Sequence, residues 1–279
     1  MESMNIEALE KKAREIRATC VQMACDGKVG HLSSSLSYVD VLVALYYGWL
    51  KVFPEDPGNP GRDRFILSKG HGCSSLYVVL ADLGFFPKSM LAEYNREDSC
   101  LPNHPCMHTL PVMEMSSGSL GHGLGVATGM LYGLRLRGSG SRTVVLLGDG
   151  ECNEGSVWES AAFAAAHKLE RLLAVVDYNG IQAVGHSDEI MGHTSLEEKF
   201  RSFGWAARTI DGSDMKSVVA ALDRVPFKKD KPSAIIAKTR TGVSFMENDV
   251  LWHYRKPSEE DRVKALAELN AKPIYGRTI

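Results

Sequence analysis

The stretch RTVVLLGDGECNEGSVWESAAFAAAHKLERLLAVVDYNG, residues 142–180, decides the fold. An apolar strand, RTVVLLG (142–148), runs straight into Gly148-Asp149-Gly150. The alanine-rich segment GSVWESAAFAAAHKL (155–169) predicts a helix, and a second apolar strand, RLLAVVDY (171–178), delivers Asn179-Gly180. Strands that are apolar throughout are buried on both faces, and a helix joining two of them is the crossover of a parallel unit. A right-handed crossover brings Asp149 and Asn179 out side by side at the carboxyl edge of the sheet, where ligands bind in such folds. A carboxylate and an amide oxygen there can hold a hard divalent ion that keeps waters and phosphate oxygens in its other positions. The flanking glycines let the backbone approach a diphosphate, and the N-terminus of the next helix favours anionic charge.

Working outward, RFILS (64–68), WAARTI (205–210) and SAIIAKT (233–239) are further strands, and CSSLYVVLADLGF (73–85) and SDMKSVVAALDRV (213–225) further helices. The predicted class is α/β, a doubly wound, mostly parallel sheet with helices on both faces. No repeat, low-complexity tract or long linker interrupts the chain, so residues 1–279 read as a single domain. A first helix is amphipathic through Ile6, Leu9, Ala13, Ile16, Cys20 and Met23. A second is expected to begin near Ser37, with Asp40 completing a capping box, and to run through VDVLVALYYGWL (39–50). FPEDPGNPGRDR (53–64) reads as a surface loop.

Composition narrows the function. The 279 residues are 44% hydrophobic and 24% charged with a net charge of -2, which excludes fibrous and disordered classes. Without clustered Lys and Arg, nucleic acid is not an expected partner. Six cysteines lack metal or scaffold spacing and read as reduced thiols. The charged, helical N-terminus does not resemble a signal peptide, and the glycine-rich stretch at 120–134 is too short to span a bilayer. A cytoplasmic location is expected.

A lone Gly-Asp-Gly is a turn signature, but GDG-x-x-x-E-G on a strand-to-helix turn, with D-Y-N-G closing the next strand, is far more specific. It resembles the thiamine diphosphate motif. The chain as a whole is similar to the N-terminal half of transketolases, and most of all to the split form in which the diphosphate-binding domain is its own polypeptide. The resemblance runs in order through GHLSSSLSYVDVLVALYY (30–47), ILSKGHGCSSLYVVLADLG (66–84), LPNHP (101–105), SSGSLGHGLGVATGM (116–130), LLGDGECNEGSVWESA (146–161), VVDYNGIQAVGHSDEIM (175–191), FRSFGW (200–205), IDGSD (210–214) and GVSFMEN (242–248) with Trp252-His253.

What the resemblance implies is specific. Asp149, Asn179 and the Ile181 carbonyl are expected to ligate Mg2+. Gly148, Gly150, Glu151, His71 and His253 are expected at the cofactor, with the backbone of Gly118, Ser119 and Leu120 facing its aminopyrimidine. Glu154 matches a glutamate that links paired active sites through hydrogen bonds. His31, His104 and His253 are expected to bind donor hydroxyls and shuttle their protons, with His71 also at the reacting centre. Imidazole suits that work, because it titrates near neutrality and both donates and accepts.

Of the nine histidines, His122, His167, His186 and His193 read as structural. His104 and His108 stand four apart, but Pro102, Pro105 and Pro111 disallow the helix a zinc site would need. Gly121, Gly125, Gly129 and Gly133 share one helix face, which reads as close packing against cofactor or a neighbouring chain.

Three departures from the family pattern bear on specificity. Leu32-Ser33-Ser34-Ser35 replaces glycines after the first histidine, His122 replaces a glutamine, and Tyr254-Arg255 follows His253, where the family has a smaller residue. Arg255 there could meet a phosphate or carboxylate, or a partner chain. The second α/β domain of the family, with its protonating glutamate, is expected on a partner subunit in an α2β2 assembly. The expected function is then one subunit of a transketolase moving a two-carbon ketol unit to an aldehyde from a ketose, which the resemblance implies is phosphorylated. Alternatives are a related acyloin or deoxyxylulose-phosphate-type synthase subunit using another 2-oxo donor, and a noncatalytic regulatory subunit. For a nicotinamide dehydrogenase, the chain lacks the glycine fingerprint.

Overall fold

The computed structural model describes residues 5–192 and 194–275, so His193 lies outside the described residues. Helix α1 (Ile6–Gly27) starts where the Asn5 side chain accepts from the Ala8 N–H and stops at Lys28 in the left-handed conformation. Its predicted apolar stripe is buried from Leu9 to Met23. Next come α2 (Leu32–Leu36), α3 (Val39–Ala44), β1 (Arg64–Leu67), α4 (Cys73–Asp82), α5 (Gly123–Leu136), β2 (Thr143–Gly148), α6 (Gly155–Ala166) and β3 (Leu172–Tyr178). A short hairpin, β4 (Ile181–Gln182) and β5 (Gly185–His186), leads into α7 (Ser187–Met191). The chain continues through α8 (Leu196–Ser202), β6 (Ala206–Asp211), α9 (Met215–Leu222), β7 (Ser233–Lys238) and α10 (Glu259–Leu269).

The five main strands form one sheet in the order β1-β2-β3-β7-β6, all parallel. Side chains alternate across a strand, and the alternation sorts the interior into two layers. Val144, Leu146, Leu173, Val175, Ile235 and Ala237 face the helices α1, α3, α4 and α9. Their neighbours Val145, Leu147, Leu172, Ala174, Val176, Ala234 and Ile236 face α5, α6 and α8. Both faces are therefore covered, which is what continuous apolar strands require. The register sets Gly148 opposite Asp177, so the segments after β2 and β3 leave the sheet together.

The second helix differs from its sequence reading. It begins at Leu32, breaks after Leu36, resumes at Val39 and ends in a π turn at Leu45–Trp49. Ser37 does not cap it: its hydroxyl donates to Asp177 at 2.6 Å. Asp40 pairs with Arg17 instead, at 2.5 Å, while Arg17 Nε donates to the Thr241 carbonyl. These polar groups are buried, and tertiary partners in a dry interior prevail over a local cap.

The glycine face of α5 also splits. A Cβ on Gly121 would lie 2.7 Å from Glu154, and one on Gly125 3.0 Å from the Ser160 hydroxyl, so both press on α6 and the turn before it. At Gly129 and Gly133 a Cβ would meet nothing within 4 Å. Among the described residues, no helix is long and apolar enough to cross a membrane.

Breaking the Arg17–Asp40 pair tests the α1–α3 packing. Asp40→Ala leaves a buried guanidinium without its carboxylate and should cost ~3 kcal/mol or more in urea denaturation. A loss below about 1 kcal/mol would show that the pair does not organise this layer.

Candidate active site

The carboxyl ends of β1, β2 and β3 open into a cavity of about 400 Å³. Its walls include His31, His71, His104 and His253, and its floor is Gly148, Asp149, Gly150, Glu151, Asn179 and Ile181. Residues far apart in sequence meet here because each ends or follows a different element.

His31 sits at the N-terminus of α2 with φ of 61°, a left-handed conformation that few side chains adopt. Its N–H donates to the His253 carbonyl at 3.0 Å, which holds it there. A Cβ on the preceding Gly30 would lie 2.5 Å from the Tyr254 carbonyl, so the two segments touch backbone to backbone. His71 occupies the tight turn Gly70–Gly72 after β1, and His253 the turn Val250–His253. His104 comes from the loop between Pro102 and Pro105.

The four rings form one cluster. The His31 ring centroid lies 5.3 Å from His71, 6.0 Å from His104 and 5.4 Å from His253. Burial is the main cause that lowers the pKa of all four, with help at His31, His71 and His253 from the nearby Lys69 charge. His253 falls to about 4. At neutral pH the cluster is a set of uncharged imidazoles, each able to donate at one nitrogen and accept at the other. The buried His31 Nδ1 has no hydrogen-bond partner among the described residues.

Opposite the histidines lie the oxygen ligands. Asp149 Oδ1 accepts from the Gly150 N–H at 2.9 Å, and Oδ2 from the Gly180 N–H at 3.1 Å and the Ser187 hydroxyl at 2.6 Å. Asn179 Oδ1 accepts from the Ile181 N–H at 3.0 Å, turning the backbone so that residue 181 reaches the cavity. Burial pushes the Asp149 carboxyl up to about 6 against the Ser187 hydroxyl bond, and raises Glu151 as well. Glu151 takes the Ser68 hydroxyl and the N–H groups of Gly121 and Gly148, so its carboxylate ties three segments of the wall.

Beneath the floor, Lys69 pairs with Asp177, which also accepts from Ser37 and Thr239. Three buried carboxylates therefore face one buried ammonium, and two negative charges are left over when all ionise. A divalent cation on the Asp149 side would neutralise that excess.

Of the sequence-expected residues, Gly118 and Leu120 line the cavity, whereas Ser119 is exposed outside it. Glu154 stands exposed at the start of α6, with no side-chain hydrogen bond among the described residues. His122 and His186 lie away from the cavity, and His167 stacks on Phe163 at 4.1 Å. Of the serine run, Ser34 lines the cavity, while the Ser33 hydroxyl donates to the Trp252 carbonyl at 3.1 Å. Tyr254 joins the wall edge-on to His31 and His253. Arg255 does not: its half-exposed guanidinium lies over the Trp252 ring and 3.6 Å from Asp261. Sequence reading did not single out Lys69, Asp177, Ser187 or Gln182. Lys69 and Asp177 were within reach of it, each two residues before a named site residue.

Fold and site together define a diphosphate-cofactor domain of an α/β enzyme. The family model for "Transketolase, thiamine diphosphate binding domain" matches residues 9–268. An apulose-4-phosphate transketolase subunit of Actinobacillus succinogenes is 38% identical over 270 residues, covering 96% of this chain and 98% of that one. A 6-deoxy-6-sulfo-D-fructose transketolase subunit from a Clostridium strain is 39% identical over 263 residues, 94% of this chain and 96% of its own. Among solved structures, the transketolase of Leishmania mexicana superposes with a TM-score of 0.90 at 26% identity, with 97% of this chain covering 42% of that one. The chain thus spans less than half of that longer protein. It belongs to the transketolase family, as the thiamine diphosphate-binding domain of a transketolase-type transferase.

The residues present fit that cofactor. The buried carboxylate excess calls for a divalent cation, the unpartnered His31 Nδ1 awaits a polar group, and no side chain projects from Gly118, Gly148 or Gly150. A Cβ on Gly150 would lie 2.9 Å from the Gln182 side chain, so glycine there lets that side chain lie against the turn.

The lowered histidine values make stability depend on pH. His253 binds its proton more weakly folded than unfolded, so its contribution is present above the unfolded value of about 6.5 and is lost as pH falls toward 4. The melting temperature of the cofactor-free protein should drop across that window, and less steeply in His253→Asn. Identical slopes in the two proteins would contradict a neutral, buried His253.

Proposed function

We propose that this chain is the diphosphate-binding subunit of a cytoplasmic two-chain transketolase, moving a two-carbon ketol unit from a phosphorylated ketose to an aldehyde. The single observation that carries the reading is the convergence of four imidazoles on the oxygen ligands at the ends of β2 and β3. Support for a partner chain comes from the Actinobacillus relative, which is named as a transketolase subunit, with 98% of its length matched. The six free cysteines agree with a reducing compartment.

Asp149, Asn179 and the Ile181 carbonyl would hold Mg2+, which accepts this all-oxygen set. Gly148, Gly150, Glu151 and His71 would line the diphosphate, and the backbone of Gly118 to Leu120 the aminopyrimidine. Bound there, thiamine diphosphate would supply a carbon nucleophile for the donor's carbonyl and the electron sink that takes up the pair released when the neighbouring carbon–carbon bond breaks. His31, His104 and His253 orient the donor through its hydroxyls and take up and return their protons. An imidazole that is neutral at working pH can begin that cycle as a base. Tyr254, edge-on to His31 and His253, would help fix the orientation of these two rings. In the assembly, two copies of each chain would place Glu154 near the axis between two sites.

Two measurements test this. Asp149→Ala removes the one carboxylate assigned to the ion and should abolish Mg2+-dependent binding of thiamine diphosphate to the assembled complex by titration calorimetry. Affinity within about threefold of wild type would reject the ligand set. The purified chain alone should perform neither ketol transfer nor C2–H exchange, and both should appear on adding a chain with the complementary transketolase domain. Full turnover by the single chain would overturn the two-chain reading.

A further inference from the structure

Lys69 and Asp177 are 2% and 1% exposed, and their ion pair is enclosed by other polar groups. The Lys69 ammonium lies 5.0 Å from the centroid of the Tyr38 ring. Asp177 also takes the Ser37 hydroxyl at 2.6 Å and the Thr239 hydroxyl. Since β2 lies between β1 and β3, Lys69 reaches its partner across a whole strand. Its stem passes over Gly148, where a Cβ would sit 3.9 Å from Lys69 Cβ and Cδ. One end of this strut is two residues before His71 and the other two residues before Asn179. It joins the loop that carries an imidazole to the loop that carries a metal ligand.

Stability alone does not explain such a pair, because apolar residues of equal volume are often as stable or more so. Among the described residues, Lys69 is also the only lysine or arginine lining the cavity. The groups facing the imidazoles are one another, Lys69 and the Tyr254 ring. Lys69 in turn is faced by Asp177 from β3 and by Asp149 and Glu151 from the end of β2.

We propose that Lys69 is a positioning residue: pinned on Asp177 across β2, it registers the histidine loop against the metal-ligand loop and stands as a fixed positive charge behind the imidazoles. Its charge opposes a second cation at His31, His71 and His253, so these rings remain acceptors at lower pH than they otherwise would. The inference builds on the assignment of the imidazoles to substrate hydroxyls, but its test does not depend on substrate.

The test uses the assembled enzyme. In Lys69→Met with Asp177→Asn, a neutral pair replaces the ionic one and leaves no lone buried charge. Titration of 13C-labelled imidazoles by NMR, without cofactor or substrate, should show the cluster moving to higher pH, because, of the two charges removed, it is Lys69 that acts on these rings. The acid limb of kcat/KM should move the same way, and thiamine diphosphate affinity should fall by about tenfold through lost register. Lys69→Arg keeps the charge and should keep the wild-type imidazole titration; if the double variant does not fold, Lys69→Gln with Asp177→Asn carries the charge test in its place. Unmoved imidazoles in a folded double variant that is only less stable would reduce the pair to packing and overturn the proposal. A shift in Lys69→Arg as large as in the double variant would overturn it too, because charge would not be the agent. Shifted imidazoles with an unmoved acid limb would uphold Lys69 and reject the histidines' role in turnover.

Discussion

Three carboxylates buried at the ends of neighbouring parallel strands are the constraint around which the site is organised. Each accepts from three donors, and those donors come from segments that otherwise have little reason to meet. Asp149 gathers its own turn, the start of the β4–β5 hairpin and the first residue of α7. Glu151 gathers the ends of β1 and β2 and the turn before α5. Asp177 gathers the end of β1, the break between α2 and α3 and the end of β7. A buried carboxylate left without such donors would cost several kcal/mol, so the loops cannot drift from these anchors cheaply.

The same arrangement explains why one side of the cavity suits cations and the other does not. The floor carries surplus negative charge and oxygen donors. The wall of imidazoles is desolvated and backed by an ammonium, so protons are disfavoured there. A diphosphate can join this floor only through a divalent cation that neutralises the surplus, while neutral hydroxyls suit the uncharged imidazole wall. Parallel strand ends produce this polarity with little help, because every strand delivers its loop to the same edge.

Much of this was legible in the sequence, for identifiable reasons. The central strands β2, β3 and β7 were readable because strands buried on both faces are apolar without interruption, and the ends of β2 and β3 were marked by Gly148 and Asn179-Gly180; the edge strand β6 keeps Arg208 and Thr209 exposed. The division into two layers follows from alternation alone. Ser37 and Asp40 misled because a local capping pattern looks the same whether or not a buried arginine or aspartate waits elsewhere. Ser187 escaped notice for a related reason, since its partner Asp149 lies 38 residues away and hydroxyls carry no pattern of their own. For Arg255 the sequence gives only its place beside His253; that its guanidinium lies over Trp252 is a matter of packing that no local pattern carries.

The contact between the segments around His31 and His253 also governs when the site can exist. The Ser33 and Trp252 partners are 219 residues apart, and His31 is held in its unusual backbone conformation by the His253 carbonyl. During synthesis, the sheet and most helices can form before the segment beyond β7 has been made. The imidazole cluster cannot, because one wall and the clamp on another both come from the segment after β7. Such distant pairings are also the slow steps of folding, since a long loop must close before it gains the contact. The sheet can therefore be in place before the last wall of the site joins it.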